Sequence, residues 1–117
     1  MSYEKQILTH GDGKTFPEKN DILTTHYTGM LKANGKKFDS SIDKGKPFRF
    51  TIWKGTVIRG WDEVLMTMSL GEKAKVVISS DWAYGEAGVG DAIPPNSDLV
   101  FIIELLKIQR DPFKRKK

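Results

Sequence analysis

The chain has 117 residues, 38% hydrophobic and 29% charged, the composition of one soluble globular domain rather than of a disordered or membrane-spanning chain. It has no cysteine, which excludes disulfides, thiol nucleophiles and cysteine-ligated zinc and fits a reducing compartment without requiring one. The net charge of +4 gathers at the end: residues 107–117 hold six basic side chains against one acid, residues 1–106 hold 13 basic and 14 acidic, so the body carries no gross electrostatic signature for nucleic acid.

The segment Met1 to Gln6 lacks the apolar core of a secretory signal, and Ser2 excludes N-myristoylation. No apolar run approaches the roughly 20 residues that cross a bilayer. Residues 2–9 predict a polar edge strand, closed by the turn His10-Gly11-Asp12-Gly13. Residues 21–31, rich in Thr, Ile, Leu and Tyr, predict a second strand. Asn34-Gly35, between Leu31 and Phe38, predicts a hairpin with both central residues at positive φ. After Pro47, Phe48, Phe50 and Ile52 alternate onto one face of a strand. Ile58, Trp61, Leu65 and Met68 fall at helical spacing, widened by Val57 and Val64, and predict a helix over 57–68 with Leu70-Gly71 as its stop. Residues 72–80 place Ala74, Val76 and Ile78 on one face, and residues 99–108 are apolar on both faces, as a central strand requires. The architecture is α+β: an antiparallel sheet wrapped over one helix. Two loops are long, 39–47 and 83–97, and the second holds Gly85, Gly88, Gly90, Pro94 and Pro95.

Covalent catalysis has little to build on. His10 sits in a turn, and His26, alone in a strand, reads as a satisfied structural group. There is no Gly-x-Ser-x-Gly elbow, no phosphate-binding loop and no metal-ligand spacing, so neither metal nor cofactor is expected. Of the carboxylate pairs, Asp62 and Glu63 read as a solvated first helical turn. Asp39, beside Asp43 and directly after Phe38, reads either as a turn cap or as a site group. Tyr27, Phe38, Phe48, Trp61, Tyr84 and Phe101 come from separate elements. They describe either a packed core or an apolar pocket flanked by the two long loops.

Val57-Ile58-Arg59-Gly60-Trp61, Phe38-Asp39-Ser40-Ser41, His26-Tyr27-Thr28-Gly29, Ala83-Tyr84-Gly85 and Ile93-Pro94-Pro95-Asn96 together resemble the FKBP-type peptidyl-prolyl isomerases. The resemblance covers residues 1–109, leaving 110–117 as a basic tail. It implies a five- to six-stranded antiparallel sheet around one short helix. It also implies a cytoplasmic, monomeric, cofactor-independent rotamase that binds proline-containing peptides and proteins and the macrolides tacrolimus and rapamycin. Drug-dependent ternary partners of the calcineurin-like phosphatase and TOR-like kinase kind follow from the same resemblance.

Its pocket would comprise Tyr27, Phe38, Asp39, Phe48, Val57, Ile58, Trp61, Tyr84, Ile93 and Phe101. Trp61 would be the floor, and Tyr27, Phe48 and Phe101 the walls. The Ile58 N–H and the Tyr84 hydroxyl would donate to carbonyls, and Asp39 would sit beside the twisted amide. Tyr27, Phe38, Asp39, Trp61, Tyr84 and Phe101 would carry turnover. Lys44, Thr56, Trp82 and the tip Val89-Gly90-Asp91-Ala92 depart from the family pattern. Isomerising a Xaa-Pro bond needs no nucleophile, metal or cofactor, in keeping with the motifs the chain lacks. Two other readings use the same residues: a clamp that holds a partner's proline segment, and a tail, Lys114 to Lys117, that directs nuclear import or touches nucleic acid.

Overall fold

The structure, a computed structural model, describes residues 2–110. Alternation of apolar side chains builds six strands: β1 (Tyr3–Thr9), β2 (Ile22–Leu31), β3 (Lys37–Ser40), β4 (Phe48–Thr51), β5 (Lys73–Ile78) and β6 (Leu99–Gln109). They form one antiparallel sheet in the order β1-β5-β6-β2-β3, with β4 also paired to β2. The doubly apolar segment is central as expected, since β6 is paired along both edges, and β1 is an edge strand. Leu99, Phe101, Ile103 and Leu105 of β6, Ala74, Val76 and Ile78 of β5, and Leu23 of β2 are buried on the inner face.

Helix α1 (Arg59–Val64) crosses that face, and a 3₁₀ turn over Leu65–Thr67 continues it. Trp61, Val64, Leu65 and Met68 are buried against the sheet, which is the stripe the sequence predicts. The regular helix is shorter than 57–68. Ile58 is its extended first cap, and the chain is extended again at Met68 (φ −98°, ψ 135°). Gly71 is left-handed (φ +89°), but it serves the turn into β5, where its N–H donates to Leu105 O at 2.8 Å, and not the helix stop. The β2–β3 hairpin also forms by a different turn. Gly35 alone is at positive φ, and its N–H donates to Leu31 O at 2.8 Å across a longer loop. Asn34 instead accepts from the Lys36 N–H through its side chain, at 2.9 Å.

Asp62 corrects the sequence reading more sharply. It is not a solvated helix-start charge: it is 7% exposed, and its Oδ1 accepts the backbone N–H of Trp53 at 2.9 Å. Trp53 holds φ +68°, a conformation a bulky side chain seldom adopts, so the carboxylate pins the link between β4 and α1 in a shape the chain would not choose locally. Arg110, placed by sequence at the start of the tail, is described; its guanidinium lies 2.8 Å from Glu18 and 3.1 Å from Asp21. Lys114 to Lys117, the basis of the nuclear-import reading, lie outside the described residues.

The helix reaches the sheet because Gly60 has no side chain. A Cβ there would come within 2.6–3.0 Å of the Ile78 side chain. Gly60→Ala is therefore expected to lower stability by about 1–3 kcal/mol, the usual range for overpacking a filled core. Urea unfolding monitored by circular dichroism measures it, and an unchanged midpoint would show that the helix can move away freely.

Candidate functional site

Gly29 stands on β2 where the rings of Phe38 and Phe101 close over the backbone; a Cβ there would lie 2.7 Å from Phe38 Cζ and 2.8 Å from Phe101 Cε1. Opposite it, the β2–β3 register shifts: Gly29 pairs with Asp39, Met30 with Lys37, and Phe38 is the extra residue of a bulge. Neighbouring residues of a regular strand face opposite ways. The bulge breaks that rule, and both Phe38 and Asp39 line the same hollow.

Trp61 is the hub of the aromatic cluster. Its ring lies 5.2 Å from Tyr27, 5.5 Å from Phe101, 5.7 Å from Phe50 and 6.0 Å from Phe48, each edge-on or steeply tilted. Edge-to-face pairs at such distances each contribute about 0.5–1.5 kcal/mol beyond area burial. Phe48 stacks on Phe50 at 5.5 Å, and Phe38 meets Phe101 at 5.8 Å and 87°. These rings do not close on one another. They leave a cavity of about 320 Å³, with Trp61, itself only 4% exposed, at the bottom.

Nine of the ten residues expected at the pocket line this cavity: Tyr27, Phe38, Asp39, Phe48, Val57, Ile58, Trp61, Tyr84 and Phe101. Ile93 is not among them; it is buried in the core and bridges Val89 within the 83–97 loop. Lys44 and Thr56 also line the cavity, although the sequence offers no periodicity that would place them there. Trp82 packs elsewhere, under the Arg59 guanidinium at 4.1 Å and beside Tyr3. His26 is structural, as expected: its Nδ1 lies 2.8 Å from Ser41 Oγ, which also accepts the Tyr27 N–H at 2.8 Å. Ser41 thereby ties the start of the 41–47 loop to the strand that carries Tyr27. Among the described residues no cluster of three or more His, Cys, Asp or Glu could hold a metal.

Asp39 both accepts a backbone N–H of its own turn and lines the cavity. Its Oδ1 accepts the Ser40 N–H at 2.9 Å and meets Lys44 Nζ at 2.9 Å, while Oδ2 accepts the Tyr27 hydroxyl at 2.6 Å. Burial pushes the Asp39 carboxyl up, but Tyr27, Lys44 and Ser40 together outweigh it and hold the acid below the usual carboxylate range. Burial, then the hydrogen bond and charge of Asp39, push the Tyr27 phenol well above its ordinary value. Burial and the Asp39 charge also raise Tyr84. The Tyr84 hydroxyl and the Ile58 N–H have no acceptor among the described residues. The cavity thus offers an apolar cup, one fixed negative charge and two uncommitted donors.

Residues 13–106 match the FKBP-type peptidyl-prolyl cis-trans isomerase family. A peptidyl-prolyl cis-trans isomerase of Schizosaccharomyces pombe is 56% identical over 108 residues, 92% of this chain and 96% of that protein. FK506-binding protein 1 of Yarrowia lipolytica is 56% identical over 108 residues, covering 92% and 99% of the two chains. The peptidyl-prolyl cis-trans isomerase Fkbp12 of Drosophila melanogaster is 54% identical over 109 residues, covering 93% and 100%. A six-stranded antiparallel sheet over one short helix, with an aromatic cup between them, is the fold of a prolyl isomerase domain. The chain belongs to the FKBP-type peptidyl-prolyl cis-trans isomerase family and is an enzyme of that kind.

No group of the cavity whose titration is displaced changes charge between roughly pH 5 and pH 9, because Asp39 is shifted down and both phenols are shifted up. Ionised Asp39 contributes stability above the unfolded carboxylate range, and loses it as pH falls through the lower folded value. Tyr27→Phe removes one of the partners that hold the value down. The Asp39 titration, followed by carboxyl carbon NMR, is expected to move upward in that variant, and the loss of stability in acid that Asp39 contributes is expected to be smaller and to be complete at higher pH. A titration at or below that of the unmodified protein would contradict the role given to Tyr27.

Proposed function

We propose that the chain accelerates Xaa-Pro isomerisation by gripping the half-turned amide in this cavity, through Tyr27, Phe38, Asp39, Trp61, Tyr84 and Phe101. The observation that carries the reading is a hollow of about 320 Å³ walled by aromatic rings, with two donors to spare and no nucleophile required. The barrier is loss of amide resonance, roughly 18–20 kcal/mol. At the twisted geometry the carbonyl is less polarised, so a poorly solvated site favours it over the planar ground state. Trp61 and Phe38 take the proline ring and the preceding side chain. Tyr84 and the Ile58 N–H orient the carbonyls, and Asp39 faces the amide. Each 1.36 kcal/mol of preferential transition-state binding gives about tenfold in rate.

The same cavity is proposed to take tacrolimus and rapamycin, a reading supported by the family and by relatives named as FK506-binding proteins. Phosphatases of the calcineurin kind and kinases of the TOR kind would then meet the drug-filled face. We propose that the protein acts as a monomer. We place the activity in the cytoplasm, where a cysteine-free chain is unaffected by reducing conditions. No helix among the described residues is long and apolar enough to cross a membrane.

Shape and desolvation are expected to outweigh the hydrogen bond. Phe38→Ala should lower kcat/KM by about 10- to 100-fold, while Tyr84→Phe, which removes one hydrogen bond, should cost roughly 2- to 12-fold. NMR line shapes of a Leu-Pro peptide measure both, with circular dichroism confirming the fold. An equal or larger loss in Tyr84→Phe reverses the ranking.

Titrating rapamycin while following tryptophan emission is expected to quench the signal to an end point at one equivalent and to abolish exchange at the same ratio. Trp61→Phe should lose most of the optical change. Exchange that persists at saturation would separate the drug from the catalytic cavity.

A further inference from the structure

A second hollow of about 520 Å³ adjoins the first and shares Tyr27, Lys44 and Phe48 with it, so a peptide leaving the prolyl cavity on this side crosses it. Its remaining lining includes Lys46, Pro47 and Arg49, and no carboxylate among the described residues lines it. The cations there are only partly satisfied. Lys44 meets Asp39 at 2.9 Å; Arg49 donates to the neutral amide oxygen of Gln109 at 3.1 Å; Lys46 has no carboxylate within ion-pair distance among the described residues. The acid that could have served them, Asp43, is held by Lys37 at 2.5 Å. The opposite rim of the prolyl cavity, Thr56, Val57 and Ile58, is uncharged. The field at the cavity is therefore one-sided.

We propose that this hollow is an anion subsite of the enzyme, taking the carboxylate of an Asp or Glu that lies two to four residues from the proline of the substrate. An extended chain advances roughly 3.3–3.6 Å per residue, so a carboxylate at that separation reaches roughly 7–14 Å from the proline. The proposal rests on the prolyl-cavity reading above and names the substrate class within it. Because the cations are exposed, each contributes modestly and salt screens it. A selective effect of a few-fold is expected, not an all-or-none switch.

The test walks a single Glu along both sides of a Leu-Pro peptide and compares kcat/KM, by NMR exchange, with the Gln peptide of the same register. At low ionic strength one side should show a Glu preference of about three- to tenfold, falling toward one in about 0.5 M NaCl. Lys46→Glu combined with Arg49→Glu should bring the ratio below one and favour a Lys peptide in the same register. Equal turnover of Glu and Gln peptides in every register overturns the subsite while leaving the prolyl cavity standing. A preference that survives the double charge reversal overturns it as well. Failure to turn over any peptide overturns the parent reading and the subsite together.

Discussion

A ring can be a good floor for a ligand only if it is held firmly and left uncovered, and these demands conflict in a small domain. Apolar surface is normally stabilised by being packed, and an enclosed void costs about 24 cal/mol per Å³ of missing contact. Trp61 resolves the conflict by edge contacts. Tyr27, Phe48, Phe50 and Phe101, from three strands, hold its perimeter. Perpendicular rings lock orientation without lying over the indole, which leaves room for the cavity. The same helical turn does two further jobs. Gly60 brings the helix down onto Ile78, and Asp62 fixes Trp53 and with it the descent from β4 into the helix. Three consecutive residues thus supply approach, floor and anchorage.

Electrostatics divides the two phenols. A carboxylate next to so many rings would tend toward neutrality, since burial disfavours its charged form. Tyr27, Lys44 and Ser40 oppose that tendency and keep Asp39 ionised. The Tyr27 hydroxyl is thereby committed to Asp39, while the Tyr84 hydroxyl has no acceptor among the described residues. Lys44 offers a point charge to one oxygen where a guanidinium would fork across two, so Asp39 is steadied from two directions by two different residues.

What sequence could show of this was set by periodicity. The strand faces, the central place of β6 and the buried helical stripe all repeat at the spacing their elements impose. Bulges do not repeat. One at Phe38 turns two adjacent residues into the cavity, and another, at Leu106 of β6 opposite Thr24 and Thr25 of β2, leaves Leu106 exposed and swings Ile108 toward the core. Asp62 was opaque for a related reason: its partner is a backbone N–H nine residues earlier, in a loop whose left-handed Trp53 carries no glycine to announce it. Ile93 carried the family motif, yet it packs inward beneath its own loop. Lys44 and Thr56 reach the cavity from loops, where residue order says little about direction.

Floor and rim therefore answer to different constraints. The floor is assembled from residues as far apart as Tyr27 and Phe101, joined by the β2–β6 pairing and the helix lying across it. It exists only when the whole sheet exists, and any change to it is charged against the stability of the domain. The rim is local. The 41–47 segment closes on itself through Gly45 N–H to Ile42 O and Lys46 N–H to Ser41 O, and the 83–97 loop through Asn96 N–H to Gly85 O and the Val89–Ile93 bridge. Exposed side chains on such self-contained loops, Ile42, Lys46 and Val89 among them, can be exchanged without disturbing Trp61. The cup thus depends on long-range pairing, while much of the rim depends only on hydrogen bonds within its own loops.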